Sequence, residues 1–129
     1  MSSDDPPTAE AVDTISSVGW ARPGVVVVAL QGELDMATVP AVSQALLHLI
    51  DQRPRRLILD VGQVSFFGSM AVAMLVMIHE ELAPTGWLSL IGVAGNRRVS
   101  SVLDTACVRM LAPEYAGLTA ALRELDAAE

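Results

Sequence analysis

Apolar and polar positions divide this chain into short aliphatic runs separated by turn residues. Val25-Val-Val-Val-Ala-Leu30 is a β-branched run fit for a central strand. The weak alternation of Val12 to Val18, followed by the turn residues Gly19-Trp-Ala-Arg-Pro-Gly24, predicts that the two runs pair as a hairpin. Thr38, Val39 and Pro40 then mark a helix start, with Thr38 as cap and Pro40 in the first turn, where a missing N–H costs nothing. Val39, Val42, Leu46, Leu49 and Ile50 share one helical face, while Gln44, His48 and Asp51 face away.

Arg53-Pro54 ends that helix, and Leu57-Ile-Leu-Asp-Val61 predicts a second buried strand. A short polar turn leads into a second helix from Ser69 to about Ala83. Its core stripe is Ala71, Leu75, Ile78 and Leu82, with Met70, Met74 and Met77 on an adjacent stripe. Pro84-Thr-Gly86 stops it. Trp87 to Val93 reads as another strand, and Asn96 as the cap of a third helix whose Val99, Val102, Leu103 and Ala106 share a face. Leu118, Ala121, Leu122 and Leu125 mark a fourth helix. Strands alternating with helices after a hairpin predict a mixed sheet with parallel crossovers.

The 129 residues suffice for one domain. Only 4% are aromatic although 52% are hydrophobic, so the core must be aliphatic. Met1 to about Ala11 mixes acids, Ser and prolines without apolar periodicity and reads as a disordered tail, leaving 12–126 as the folded domain. The net charge of −7, with no Lys, disfavours nucleic acid as a partner. The start lacks the basic and apolar regions of a signal peptide, and the apolar run Val64 to Ile78 is shorter than the about 20 residues of a membrane helix. A single cysteine suits a reducing compartment. These features predict a cytoplasmic protein without membrane insertion, in which Cys107 serves packing.

Catalytic and metal chemistry find little support. Phe67-Gly-Ser-Met-Ala71 lacks the second glycine of a nucleophile elbow. His48 and His79 lie away from the core stripes, and one Cys with two distant histidines has no metal-ligand spacing. Gly92-Val-Ala-Gly95 reads as a strand-to-helix turn, and Arg53, Arg55 and Arg56 as a solvated loop. No catalytic residue, metal or cofactor is expected.

Three pieces carry a family resemblance: Leu30-Gln-Gly-Glu-Leu-Asp35 followed by Thr38; Leu57-Ile-Leu-Asp-Val61 with Val64-Ser-Phe-Phe67; and the helix start Asn96-Arg-Arg-Val99. In order and spacing the chain resembles the STAS family of bacterial anti-sigma-factor antagonists. The resemblance implies an α/β STAS fold: a mixed, mostly parallel sheet of about four to five strands, with helices packed mainly on one face. It also implies a binding protein rather than an enzyme, with an anti-sigma factor of the ATPase-type serine kinase class as partner. Glu33, Asp35, Gly68, Ser69, Met70 and Met74 are the partner-binding candidates. Gly32 is read as the residue that lets the chain turn out of the sheet before the two carboxylates.

The family's switch reads Asp-Ser-Ser-Gly or Asp-Ser-Thr-Gly, and the partner kinase phosphorylates the second hydroxyl residue. Here the four positions are Gly68, Ser69, Met70 and Ala71. Met70 takes the acceptor position and Gly68 replaces the acid. Ser69 is the one remaining phosphoacceptor candidate, but one residue turns it by about 100° around the helix, and its simpler role is helix cap. Binding without the usual serine switch is therefore the leading expectation. The alternatives are a scaffold subunit in a signalling assembly with other STAS proteins or a second copy, and a sensor of a small ligand or nucleotide.

Overall fold

The computed structural model describes residues 12–128, so the tail expected at 1–11 lies outside the described residues. Five strands form one sheet in the order β1-β2-β3-β4-β5. They are β1 (Ile15–Arg22), β2 (Val25–Leu34), β3 (Arg56–Phe67), β4 (Trp87–Ile91) and the two-residue β5 (Glu114–Tyr115). β1 is antiparallel to β2, and every later pairing is parallel. The helices are α1 (Val39–Ile50), α2 (Ser69–Leu82), α3 (Arg97–Thr105) and α4 (Leu118–Ala128).

Strand alternation sorts the core into two layers. Val26, Val28, Leu30, Leu57, Leu59, Leu88 and Leu90 point to one side and pack with α1, α2 and α3. Val25, Ile58 and Ile91 point to the other side, where Ala121 and Leu125 of α4 cover them. Three of the four helices thus share a face. The predicted core face of α1 is buried throughout, as are Ala71, Leu75, Ile78 and Leu82 of α2. Asn96 caps α3 by accepting from the Val99 N–H.

The structure corrects several boundaries. Gly19 to Arg22 belong to β1, and the hairpin turn shrinks to Pro23-Gly24, with Gly24 at φ +81° as a Pro-Gly turn requires. Gly32 does not end its strand. It sits at φ +74° inside β2, which runs on to Leu34.

The polar turn expected after Val61 is also strand. β3 continues to Phe67 and gains one extra residue against β2 between Asp60 and Gln63, and another between Val64 and Phe66. These bulges break alternation, so that Ser65 and Phe66 are both exposed between buried Val64 and Phe67. At the end of α3, Ala106 and Cys107 are exposed rather than packed, with Cys107 at φ +57° beyond the last turn.

Candidate functional site

Because β2 and β3 are parallel neighbours, their C-terminal ends release the chain at the same edge. Leu34 stands beside Phe67, and the Gly68 N–H donates to the Leu34 carbonyl at 3.2 Å. The turn before α1 and the first turn of α2 therefore lie side by side. Between them is a shallow depression of about 450 Å³ lined by Asp35, Met36, Ala37, Phe66, Gly68, Ser69 and Met70. Its apolar walls face solvent: Met36 is 78% exposed, Phe66 49% and Met70 39%. Three large apolar side chains converging on one opening form a patch rather than scattered surface residues.

Asp35 organises the first wall. Its Oδ1 accepts from the backbone N–H groups of Ala37 (2.9 Å) and Thr38 (3.1 Å), and its carbonyl accepts from the Val39 N–H at 2.9 Å. In return the Asp35 N–H donates to Thr38 Oγ1 at 3.0 Å. This reciprocal pair is a capping box spelled Asp-x-x-Thr. Thr38 is the N-cap of α1 by position, as expected, but its side chain makes no cap bond to the helix; the side-chain acceptor comes from Asp35, in the turn that leads into it. The Thr38 hydroxyl donates to the Glu33 carbonyl at 2.7 Å, tying the turn back to β2. Glu33 itself is exposed, in register with Phe66 of β3, while Asp35 is half-buried.

The second wall is built on Gly68. It is the N-cap of α2 in extended conformation, and its carbonyl accepts from Ala71 and Val72. A Cβ there would stand 2.8 Å from Cε2 of Phe66, so the Phe66 ring lies over the glycine, in the space a side chain at this position would enter. Ser69, expected as cap, is instead the first helical residue and is exposed, and α2 has no side-chain cap bond. Ser69 also lines a second depression of about 350 Å³ between α2 and α3, with Val72, Ser101 and Val102 among its walls. Met74 is 2% exposed and belongs to the core, which removes its side chain from the partner-face candidates. Met77 is partly buried against the same core.

The sequence reading missed Met36 and Phe66, the most exposed apolar groups of the site. Their signals were present: a methionine directly after a capping aspartate, and two adjacent phenylalanines of which a strand can bury one. It also missed the supports of the bulged end of β3. Asn96 Nδ2 donates to the carbonyls of Val61 and Val64, both at 2.8 Å, and Arg98 Nη1 donates to the Ser65 carbonyl at 2.9 Å. α3 thereby holds the segment that presents Phe66.

Neither histidine stands beside Ser69. His79, ten residues along α2 from Ser69, is roughly 15 Å away at the rise of a helix, and His48 is exposed on α1. Among the described residues no three His, Cys, Asp or Glu side chains are placed to hold a metal ion, and no helix is long and apolar enough to cross a membrane.

Comparison with known proteins agrees with this geometry. The family model of the STAS domain matches residues 20–96. Anti-sigma-F factor antagonist RsfB of Mycobacterium tuberculosis is 29% identical over 72 residues, 56% of this chain and 59% of that protein, so the match spans about three fifths of the relative. The crystal structure of an anti-sigma factor antagonist from Mycobacterium paratuberculosis superposes with a TM-score of 0.76 at 27% identity, covering 87% of this chain and 94% of that one. The unphosphorylated form of the anti-sigma factor antagonist SpoIIAA shares the fold, with a TM-score of 0.73 at 21% identity over 86% of this chain and 96% of that one. Both the matched segment, which holds the two turns of the site, and the five-stranded mixed sheet with its four helices place this chain in the STAS domain family.

Proposed function

We propose that this chain is an anti-sigma-factor antagonist-like binding protein and not an enzyme. It engages an anti-sigma factor of the ATPase-type serine kinase class, in the cytoplasm, through the face where β2 and β3 end. The observation that carries the reading is the exposed trio Met36, Phe66 and Met70 around Ser69, with Asp35 in the same lining and the exposed Glu33 in register with Phe66 on the neighbouring strand. Flexible thioethers beside an aromatic ring adapt to an apolar partner surface, and acidic neighbours steer and orient a basic one. Both mycobacterial relatives are anti-sigma factor antagonists, which supports an anti-sigma factor as partner; that it is of the ATPase-type kinase class is what the family resemblance implies.

Control differs from the family pattern. A phosphoryl group would bring about −1.5 to −2 charge to this face and oppose docking, but a thioether stands at the acceptor position. Ser69 is one position earlier on the helix, about 100° away, outside the reach of a kinase site shaped for the following residue. Binding therefore persists in the presence of ATP.

The test is incubation with each anti-sigma factor kinase encoded by the same organism, with and without MgATP, followed by size-exclusion chromatography and intact-mass spectrometry. A stable complex with at least one kinase and an unchanged mass are expected. Absence of any complex refutes the antagonist reading. A phosphoryl adduct that vanishes in Ser69→Ala refutes the claim of a lost switch.

A further inference from the structure

Six residues of the chain are methionine, and they meet solvent very unequally. Met1 lies outside the described residues. Met74 is 2% exposed in the core, and Met77 is partly buried against it. Met36, Met70 and Met110 are open to solvent, at 78%, 39% and 97%. Two of these three, Met36 and Met70, stand on opposite walls of the depression between the turn before α1 and the first turn of α2, with Phe66 beside them. Met110 belongs to the single 3-10 turn Arg109–Leu111 after α3, and it lines neither that depression nor the one between α2 and α3.

A solvated thioether offers a lone pair that a packed one withholds. Towards hydrogen peroxide the sulfur lone pair forms an S–O bond as the O–O bond breaks. The departing hydroxide takes the proton of the transferred oxygen and leaves as water, so sulfur loses two electrons and peroxide gains them. The product is a sulfoxide, polar and chiral where the thioether was apolar. Methionine sulfoxide reductases reverse the step: a dithiol becomes a disulfide, and the oxygen leaves as water.

Position decides what that oxidation does. The walls of the depression are apolar, so a partner seated on it must strip water from whatever stands in place of each thioether. A sulfoxide oxygen is a strong hydrogen-bond acceptor, and burying it against an apolar surface without a donor is unfavourable. We propose that Met36 and Met70 form a paired oxidation site, at which peroxide releases the partner and sulfoxide reduction restores docking. This control rests on the partner reading above and adds to it the means of release. The fold is spared, because both side chains lie outside the core while Met74, whose oxidation would disturb packing, is shielded. Docking and oxidation exclude each other, since a seated partner covers the sulfurs that peroxide must reach.

Treating the full chain with hydrogen peroxide, removing the peroxide, and then combining peptide mapping with isothermal titration of the cognate anti-sigma factor kinase tests this. Mapping is expected to find an added oxygen on Met36, Met70 and Met110 while Met74 stays a thioether and the melting temperature moves by no more than a few degrees. The oxidised protein is expected to bind at least about tenfold more weakly than the untreated one, and sulfoxide reductases acting on both epimers restore the affinity. Met110→Leu keeps the full loss. Met36→Leu/Met70→Leu, with no sulfur at either site, gives the same affinity before and after peroxide. Undiminished binding by protein oxidised at both sites overturns the inference. So does a loss that reduction fails to restore, an equal loss in Met36→Leu/Met70→Leu, absence of oxygen on Met36 and Met70, or oxidation of Met74 as fast as Met70. No binding by the untreated protein refutes the partner reading, and the release with it, so the two failures are told apart.

Discussion

Replacing Asp35 by alanine separates a structural carboxylate from a merely exposed one. The side chain accepts two backbone N–H bonds, from Ala37 and Thr38, and forms half of a reciprocal box with Thr38. Losing capping bonds of this kind costs about 1 kcal/mol and up to about 2. Removing a negative charge from a helix N-terminus adds about 0.3–1 kcal/mol. The expected total is about 2 kcal/mol, a fall of roughly 8 °C in melting temperature for a domain of this size. Asp35→Asn keeps the acceptor oxygen and loses only the charge term, about 0.5 kcal/mol. Thr38→Val removes the other half of the box, so the double variant Asp35→Ala/Thr38→Val should cost at least about 0.5 kcal/mol less than the two singles added. Urea unfolding followed by far-UV circular dichroism reads all four values. Equal stability of Asp35→Ala and Asp35→Asn, or strict additivity in the double variant, refutes the box as the organiser of this turn.

Asn96→Ala leaves the Val61 and Val64 carbonyls without their donor and removes the cap of α3; a loss of about 3 kcal/mol is expected in the same unfolding assay. Gly68→Ala introduces a Cβ into the space under the Phe66 ring; since that ring is exposed and Gly68 has φ −89°, the ring should swing outward at a cost below about 1 kcal/mol, seen as shifted Phe66 resonances in an otherwise unchanged NMR spectrum. Met74→Glu places a carboxylate in the core and should unfold the domain, whereas Met70→Glu, four residues away on the solvent side, should change the melting temperature by no more than a few degrees.

Much of the fold was legible because strong signals were local. The valine run of β2, the core face of α1 and the stripe of α2 all have unbroken periodicity, and each lies where that periodicity puts it. The second half of β3 was not legible, because two bulges remove the alternation by which a strand is recognised, and Asn96, more than 30 residues later, supplies the hydrogen bonds that hold it. Gly32 misled for a related reason: a residue with positive φ suits a turn, yet here it serves an irregular register within β2.

The candidate site was legible as two turns, at Glu33 to Asp35 and at Gly68 to Met70, and those turns do meet. What they are made of was less visible. The cap of α2 moved from Ser69 to Gly68, and the side-chain bonds at the start of α1 come from Asp35 rather than from the N-cap Thr38, because capping is decided by backbone geometry at the strand exit, which residue preference narrows without fixing. Met74 left the face because the stripe beside the core line of α2 turns inward at its second turn. Met36 and Phe66 joined it only once the two strand ends were brought together.

The most direct measurement is isothermal titration of a cognate anti-sigma factor kinase with the wild-type protein and with Met70→Glu, both verified as folded by thermal melting. A carboxylate in the centre of the apolar trio must be desolvated on docking, so the account predicts 1:1 binding by the wild type and at least about hundredfold weaker binding by the variant. Equal affinity of the two proteins would contradict it.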